Sequence, residues 1–237
     1  MSKYIQKLGS LYNRIKRSKY EHVSYSQSGE DIIIRYIFLL RNMKQFSYLD
    51  LGANQPFFLN NTALFYMKGC RGVNVEANSG LIELFQKQRP ADLNLNIGVG
   101  PEEGTLEFYV FEDDTLSTFS LGEVEQLKAS GLKVDRIEKI KILTLDHILS
   151  EYLGGRFPDL LSIDVEGYDF EIIKSADFSS NKPKVICAET AEYSPIGAGK
   201  KREDYIQYIL NQGYYLYADT NINSIFVEKD FWFNYPR

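Results

Sequence analysis

Segments with the pattern of β-strands alternate with segments with the pattern of α-helices along most of this sequence. Strand and helix taking turns at this spacing predict a parallel sheet covered by helices. The last two strand-like segments, "GYYLYADT" and "NSIFVEKD", are too close together for a crossover helix, so we expect them to pair antiparallel. The strands predicted for the parallel part are "FSYLDL", "RGVNVEA", "DLNLNIGV", "DLLSIDVEG" and "PKVICAET".

Two further elements are predicted around this sheet. A helix over residues 28–43 begins with Ser28 as its cap, and Glu30 and Asp31 lie beside the positive end of its dipole. Residues 104–111 alternate between apolar and polar with a period of two, which predicts a strand added to the parallel series.

The composition is that of one compact, cytoplasmic domain. The chain has 237 residues, of which 44% are hydrophobic, enough to bury one substantial core. Its formal charge of −5 disfavours a nucleic-acid partner, because phosphate backbones attract basic surfaces. Cys70 and Cys187 lack disulfide or metal-site spacing, and no transmembrane stretch or signal peptide is recognisable, so we expect a protein of the cytoplasm.

Residues 1–24 are interpreted as a basic N-terminal arm, and residues 25–237 as the single domain. Apolar residues recur in the arm at helical spacing, with lysines and arginines between them. Such a helix could lie on an anionic membrane surface, pack on its own domain, or join two subunits of a homo-oligomer. These apolar positions are Tyr4, Ile5, Leu8, Leu11, Tyr12 and Ile15.

Acidic residues stand where four of the predicted parallel strands end. They are Asp50, Glu76, Glu189 and the pair Asp164 and Glu166. The carboxyl ends of parallel strands share one edge of a sheet, and ligands bind there. We therefore expect a polar site at this edge.

The segment "YLDLGAN" and Glu76 together indicate a nucleoside pocket. Gly52 lets the backbone approach a ligand closely, and a carboxylate at the end of the next strand can accept hydrogen bonds from both ribose hydroxyls. Alternatively, Gly52 serves only a tight turn and Glu76 is solvated. A dinucleotide is disfavoured because no glycine follows Gly52 until Gly69, and no P-loop motif occurs. S-adenosylmethionine is the common nucleoside cofactor without phosphates.

Several blocks resemble the FkbM-type family of S-adenosylmethionine-dependent methyltransferases. They are "YSQSGED", "YLDLGAN", "VNVEAN", "LNIGVG", "LTLDHIL", "LSIDVEGYDFEIIKSADF" and "PKVICAET". The resemblance implies the class I methyltransferase fold, which is Rossmann-like, with a seven-stranded, mostly parallel sheet, helices on both faces and a C-terminal antiparallel hairpin. The positions that it implies for the cofactor are Gln27, Asp50, Gly52, Ala53, Asn54, Glu76, Ile97, Gly98 and Val99.

The sequence departs from the family pattern at two positions. Many members have a second glycine where this chain has Pro56, and Glu-Pro where it has Glu76 and Ala77. Because proline lacks an N–H, one backbone donor that could face the cofactor is missing from the loop.

Asp164, Glu166 and Glu189 are the candidate catalytic residues. Methyl transfer to oxygen requires an aligned acceptor and removal of its proton, which a carboxylate can accept. The same three carboxylates could instead hold Mg²⁺ or orient sugar hydroxyls. Neither His147, on a predicted helix, nor His22 is selected as the base.

The leading hypothesis is an O-methyltransferase that acts on a hydroxyl of a sugar, a glycan precursor or another polar small molecule, as in polysaccharide biosynthesis. The alternative is a catalytically degenerate methyltransferase fold that acts as a scaffold or cofactor sensor. A nicotinamide-dependent oxidoreductase is disfavoured by the missing glycines.

Overall fold

A computed structural model describes residues 21–112, 116–165, 167–179, 181–192 and 199–234. Most of the predicted basic arm and the candidate Glu166 lie outside these residues. No helix in the described part of the chain is both long enough and apolar enough to cross a membrane.

A seven-stranded sheet forms the centre of the fold, in the order β3-β2-β1-β7-β8-β10-β9. The first five of these strands pair in parallel, whereas β10 pairs antiparallel with both β8 and β9. The predicted parallel sheet with an antiparallel C-terminal hairpin is confirmed. The strands are β1 Ser47–Leu51, β2 Arg71–Val75, β3 Leu93–Leu95, β7 Leu160–Ile163, β8 Val185–Glu189, β9 Tyr214–Asp219 and β10 Asn223–Glu228.

Helices cover both faces of this sheet. On one face α5, α6 and α7 pack on strand residues such as Leu49 and Leu161, while α1, α2 and α8 pack on the alternate residues Tyr48 and Leu160. Burial on both faces explains the nearly continuous apolar runs of the central strands. The helices are α1 Glu30–Leu40, α2 Ala63–Met67, α3 Ser79–Gln88, α4 Leu121–Ala129, α5 Leu145–Tyr152, α6 Asp169–Ser175, α7 Glu203–Asn211 and α8 Lys229–Phe233.

The predicted start of the first helix was wrong. The helix begins at Glu30 and is preceded by Gly29, whose φ is 89°, and no side chain caps it. Ser28 does not accept from the helix; its own N–H donates to the Glu30 carboxylate at 2.8 Å. The carboxylates of Glu30 and Asp31 instead accept hydrogen bonds from the segment that precedes the helix.

The predicted single strand over residues 92–99 is two short strands in different sheets. The Asn96 side-chain amide donates to the carbonyl groups of Glu76 and Ala77, at 3.1 and 2.8 Å, and turns the chain after β3. The following strand joins a second, three-stranded sheet of order β4-β6-β5. Its strands are β4 Gly98–Val99, β5 Gly104–Phe111, which was predicted, and β6 Val134–Leu143.

Candidate active site

A cleft of about 390 Å³ opens at the carboxyl ends of β1, β2, β7 and β8. From β1 the chain proceeds to β2 and β3 on one side, and later returns through β7 and β8 on the other. Ligands of open parallel sheets bind at such a reversal of strand order. The predicted site residues that line the cleft are Gln27, Gly52, Asn54, Glu76, Ile97, Gly98, Val99, Asp164 and Glu189.

Two predicted cofactor residues lie behind this lining. Asp50 is buried, and its carboxylate accepts the Thr62 hydroxyl at 2.7 Å and the Asn60 amide at 3.2 Å. Burial raises its pKa, opposed by these hydrogen bonds and by the Arg89 charge. Ala53 packs with apolar residues of α3. Both residues support the loop that follows β1.

Arg89 is the centre of the support under the loop that follows β1. It is fully buried and ion-pairs with Asp92 at 2.9 Å, and it also donates to Asn60, Thr62 and Tyr48. A further contact, of 3.4 Å, reaches the carbonyl oxygen of Pro56. The proline that departs from the family pattern is therefore an anchored position, where an acceptor is used and no N–H is needed.

Gly52 is held against the neighbouring strand. Its N–H donates to the carbonyl of Val75, and its φ is 74°. A Cβ atom at this position would lie 1.8 Å from the backbone oxygen of Asp164. The sequence predicted a close approach of this glycine to a ligand; the approach seen here is to the backbone after β7, and it brings together the ends of β1 and β7.

We expect Gly52→Ala to destabilise the protein by about 2–5 kcal/mol, since it combines a left-handed backbone angle with a backbone clash. Thermal or urea unfolding measures the loss. Gly104→Ala is the matched control, because a Cβ there meets nothing within 4 Å and its φ is not in the left-handed region. Equal stabilities for the two variants would contradict this account of Gly52.

Glu76 projects into the cleft from the end of β2 with both carboxylate oxygens hydrogen-bonded. One accepts the Asn54 N–H and the other the Asn78 N–H, each at 2.8 Å. Burial raises the pKa of this carboxyl to about 7, against the lowering effect of those donors. Glu76 therefore changes charge near neutral pH, and any ligand that donates hydrogen bonds to it will favour its charged form.

Asn54 supplies a second acceptor at the same end of the cleft. Its φ of 52° is uncommon for a residue other than glycine. Its side-chain oxygen is buried and has no hydrogen-bond partner among the described residues. Such an atom, in a residue that lines a cleft, points to a ligand that donates a hydrogen bond.

The sequence did not indicate the apolar wall of the cleft. It is made by Leu81 of α3 and by three residues from the second sheet and its connecting loop. The Phe108 and Phe119 rings lie 4.6 Å apart between centroids. Period-two alternation predicted the strand that carries Phe108, but only the tertiary structure brings it over the main sheet. The wall consists of Leu81, Phe108, Leu116 and Phe119.

Asp164 and Glu189 meet at the opposite end of the cleft, on the adjacent strands β7 and β8. Burial, followed by the charges of Asp164 and Asp169 and a hydrogen bond to Asp164, raises the pKa of Glu189 to about 9. At neutral pH Glu189 therefore carries a proton that it shares with Asp164. Asp169 shapes the turn after β7, where its carboxylate accepts the Val165 N–H at 3.0 Å.

Gln27 lies over the cleft on a segment clamped by the first two residues of α1. The Asp31 carboxylate accepts the Ser24 hydroxyl at 2.6 Å and the Tyr25 N–H at 2.8 Å. The Glu30 carboxylate accepts the Thr220 hydroxyl at 2.6 Å, which ties the segment to the C-terminal hairpin. The two acids thus hold Gln27 in place.

The histidines lie apart from this constellation. His147, on α5, contacts Glu103 at 2.6 Å and Glu151 at 2.8 Å on the surface, and these partners raise its pKa. His22 is exposed and is not part of the cleft lining.

Metal ligation receives no support from the described residues, among which no group of three or more His, Cys, Asp or Glu side chains has a suitable arrangement. Asp164 and Glu189 form a pair, and Glu166 lies outside the described part of the chain.

Comparisons with solved structures return methyltransferases of low sequence identity. A TehB-like S-adenosylmethionine-dependent methyltransferase from Corynebacterium glutamicum is 10% identical, with 96% of this chain and 97% of that chain covered and a TM-score of 0.44. TehB from Haemophilus influenzae is 10% identical, with 92% and 66% covered and a TM-score of 0.39. At these scores neither likeness carries an argument about function.

The family assignment rests on the sequence. No curated protein matches the chain. A family model for the methyltransferase FkbM domain matches residues 50–216, which is more than half of the chain and includes every acidic strand end of the cleft. The chain therefore belongs to the FkbM family of S-adenosylmethionine-dependent methyltransferases.

Proposed function

We propose that this protein transfers a methyl group from S-adenosylmethionine to a hydroxyl of a small polar acceptor such as a sugar or glycan precursor. The observation that carries the proposal is the arrangement of one cleft, in which Glu76 lies at one end and the proton-sharing Asp164 and Glu189 at the other. The first end suits a nucleoside, and the second suits proton transfer from an acceptor.

The residues present fit the cofactor. Glu76 retains lone pairs beyond its two backbone donors and can accept both ribose hydroxyls. The unpartnered oxygen of Asn54 can accept from the ammonium group of the methionine part. The apolar wall, with Ile97 and Val99, offers a surface for the adenine ring.

When bound, S-adenosylmethionine supplies an electrophilic methyl group and a neutral sulfur leaving group. In the proposed transfer, Asp164 would take the proton of the acceptor hydroxyl, whose oxygen would receive the methyl group. Glu189 holds Asp164 in place and keeps the pair singly charged before the transfer. The pair is then neutral until a proton leaves to solvent.

A hydroxyl acceptor follows from this need for a base. The half-buried carboxylate of Asp164, beside a protonated partner, is placed to receive a proton from a neutral acceptor, whereas a thiolate or a free amine would react without one. Residues 25–237 form the catalytic domain in this proposal, and the arm, 1–24, is an accessory segment.

Calorimetric titration with S-adenosylhomocysteine tests the cofactor site directly. We expect binding of S-adenosylhomocysteine and none of NADH. Radiolabelled methyl transfer to a panel of hydroxyl compounds then tests the reaction. Binding without transfer to any acceptor would favour the degenerate scaffold, and NADH binding would favour an oxidoreductase.

We expect affinity for S-adenosylhomocysteine to fall as the pH is lowered through about 7. Ribose hydroxyls donate to the charged form of Glu76, so the pKa of Glu76 is lower in the complex than in the empty cleft, and binding below pH 7 must release a proton. The expected slope approaches tenfold per pH unit below the free pKa and vanishes above about pH 8. Calorimetry between pH 5.5 and 8 measures this slope. The range stays below the pKa of Glu189, so that Glu189 does not titrate in it.

Glu76→Gln is the control, since an amide cannot titrate. Its affinity should be low and independent of pH over the same range. A pH dependence that persists in this variant would assign the titration to another group and contradict the role of Glu76.

Alternatively, the carboxylates of Asp164, Glu166 and Glu189 bind Mg²⁺. Activity that is lost on chelation and restored by Mg²⁺ would favour the metal over a carboxylate base. Activity unaffected by chelation would favour Asp164 as the base.

A further inference from the structure

We infer that the methyl acceptor is an uncharged hydroxyl compound with an apolar face, and that it lies at the mouth of the cleft against an apolar rim formed by Phe58, Leu59 and Tyr168. The inference rests on the proposed function and adds the charge and the location of the acceptor. It is carried by the charges that line the cleft, the ion pairs around it and the exposure of the rim.

Among the described residues, the lining of the cleft offers no basic side chain to an anionic acceptor. Three carboxyl groups, those of Glu76, Asp164 and Glu189, line it, and no lysine, arginine or histidine is among its described lining residues. The internal residues outside the description, 113–115, 166, 180 and 193–198, contain no basic residue in the sequence either. An acceptor with a carboxylate or phosphate near its reacting hydroxyl would be repelled by the single negative charge of the Asp164–Glu189 pair, which no lining cation offsets.

Two of the three basic residues that follow β8 have partners outside the cleft lining, and the third, Lys200, is exposed and does not line the cleft. Lys201 ion-pairs with Asp219 at 2.9 Å and donates to the Thr190 hydroxyl at 3.1 Å. The Arg202 guanidinium lies 5.5 Å from the ring centroid of Tyr205 and 4.0 Å from the carboxylate of Glu171. Moving either cation toward an acceptor would break these contacts.

The size of the cleft places the acceptor at its mouth. A volume of about 390 Å³ lies near the lower end of the range of roughly 300–1,000 Å³ for small-ligand sites, so a nucleoside cofactor takes up most of it. Leu59 and Tyr168 line the cleft and are each 44% exposed, and the adjacent Phe58 is 58% exposed. In this inference they are the side chains that an acceptor contacts on entering.

The rim is built into the fold. Leu59 has a φ of 50°, which is costly for a bulky residue and persists only where neighbours hold it. The next residue supplies that support, because the Asn60 N–H donates to the carbonyl of Tyr25 at 2.9 Å and its buried side chain bonds to Asp50. Tyr168 immediately precedes α6, whose first residue, Asp169, shapes the turn after β7.

Apolar side chains above a carboxylate pair suit a ligand with C–H groups on one face and hydroxyls on the other. A neutral pyranose ring has this character, and so does an alcohol on an aliphatic or aromatic ring. The rim contacts the apolar face, and Asp164 receives the hydroxyl proton.

The test measures binding to the full chain saturated with S-adenosylhomocysteine, by saturation-transfer NMR. The probes are neutral hydroxyl compounds, such as methyl glucoside, cyclohexanol and benzyl alcohol, each paired with its carboxylate or phosphate counterpart. We expect neutral members to bind at least about tenfold more tightly than their anionic partners. Tyr168→Ala should weaken neutral binding by roughly threefold to tenfold, measured at a concentration of S-adenosylhomocysteine that saturates the variant.

Tyr36→Ala is the matched control, since Tyr36 is 56% exposed and does not line the cleft. The inference would be overturned if the anionic compounds bound as tightly as the neutral ones, including through the basic residues of segment 1–20. It would also be overturned if no neutral compound bound. Equal effects of the two tyrosine variants would overturn the position of the rim. Failure of S-adenosylhomocysteine itself to bind would instead refute the proposed function.

Discussion

Replacing Asp164 with asparagine is expected to lower the rate of methyl transfer by about 10²- to 10⁴-fold, the usual effect of removing a general base. Asparagine is nearly the same size but cannot take the acceptor's proton. Affinity for S-adenosylhomocysteine should stay within a few-fold of the wild-type value, because the nucleoside end of the cleft is unchanged. Single-turnover transfer with a substrate found in the acceptor panel, together with calorimetry, separates the two effects.

Asp135→Asn is the control for this substitution. Asp135 is exposed, pairs only at the surface with Arg136, and is not part of the cleft lining. We also expect the loss in Asp164→Asn to remain below the pH at which Glu189 ionises, since the asparagine amide itself cannot become a base. If Asp164→Asn retains full activity, the base lies elsewhere, with Glu166 as the next candidate.

Replacing Glu76 with alanine is expected to weaken S-adenosylhomocysteine binding by at least about 100-fold. Hydrogen bonds to a charged group contribute roughly 1.5–3 kcal/mol each, and two ribose hydroxyls would lose their acceptor. The variant also frees the N–H groups of Asn54 and Asn78, which the carboxylate positions. Calorimetry on protein whose fold is verified by circular dichroism measures the loss.

Glu83→Ala is a matched control on α3, where the side chain is exposed and pairs with Lys87. It should bind S-adenosylhomocysteine as the wild type does. If Glu76→Ala binds S-adenosylhomocysteine with wild-type affinity, Glu76 is not part of the cofactor site, and the proposed position of the nucleoside in the cleft is wrong.

The parallel sheet and its final hairpin were predictable because their signals are local. Buried central strands read as apolar runs, and a short connection between two strands allows only antiparallel pairing. The acidic strand ends were predictable for the same reason, since parallel strands deliver their last residues to one edge. Glu76, Asp164 and Glu189 are found together there.

One error came from a local bond that competes with the predicted cap, and the other from a side chain that bonds to residues distant in the sequence. Ser28 has the chemistry of a helix cap, but the Glu30 carboxylate takes the Ser28 N–H instead. The segment after β3 has the apolar pattern of one strand, but the Asn96 amide turns it toward a second sheet. Neither hydrogen bond can be predicted from the spacing of apolar and polar residues in the sequence.

By itself, the sequence determined the order of strands and helices, the glycine that the first turn requires, and the carboxylates at the strand ends, because each depends on neighbouring residues. Only the tertiary structure decided what each carboxylate does. Asp50 is turned into a buried support by Asn60 and Thr62, whereas Glu189 shares a proton with Asp164 across adjacent strands. Those roles depend on burial and on partners brought from distant parts of the chain, and sequence spacing records neither.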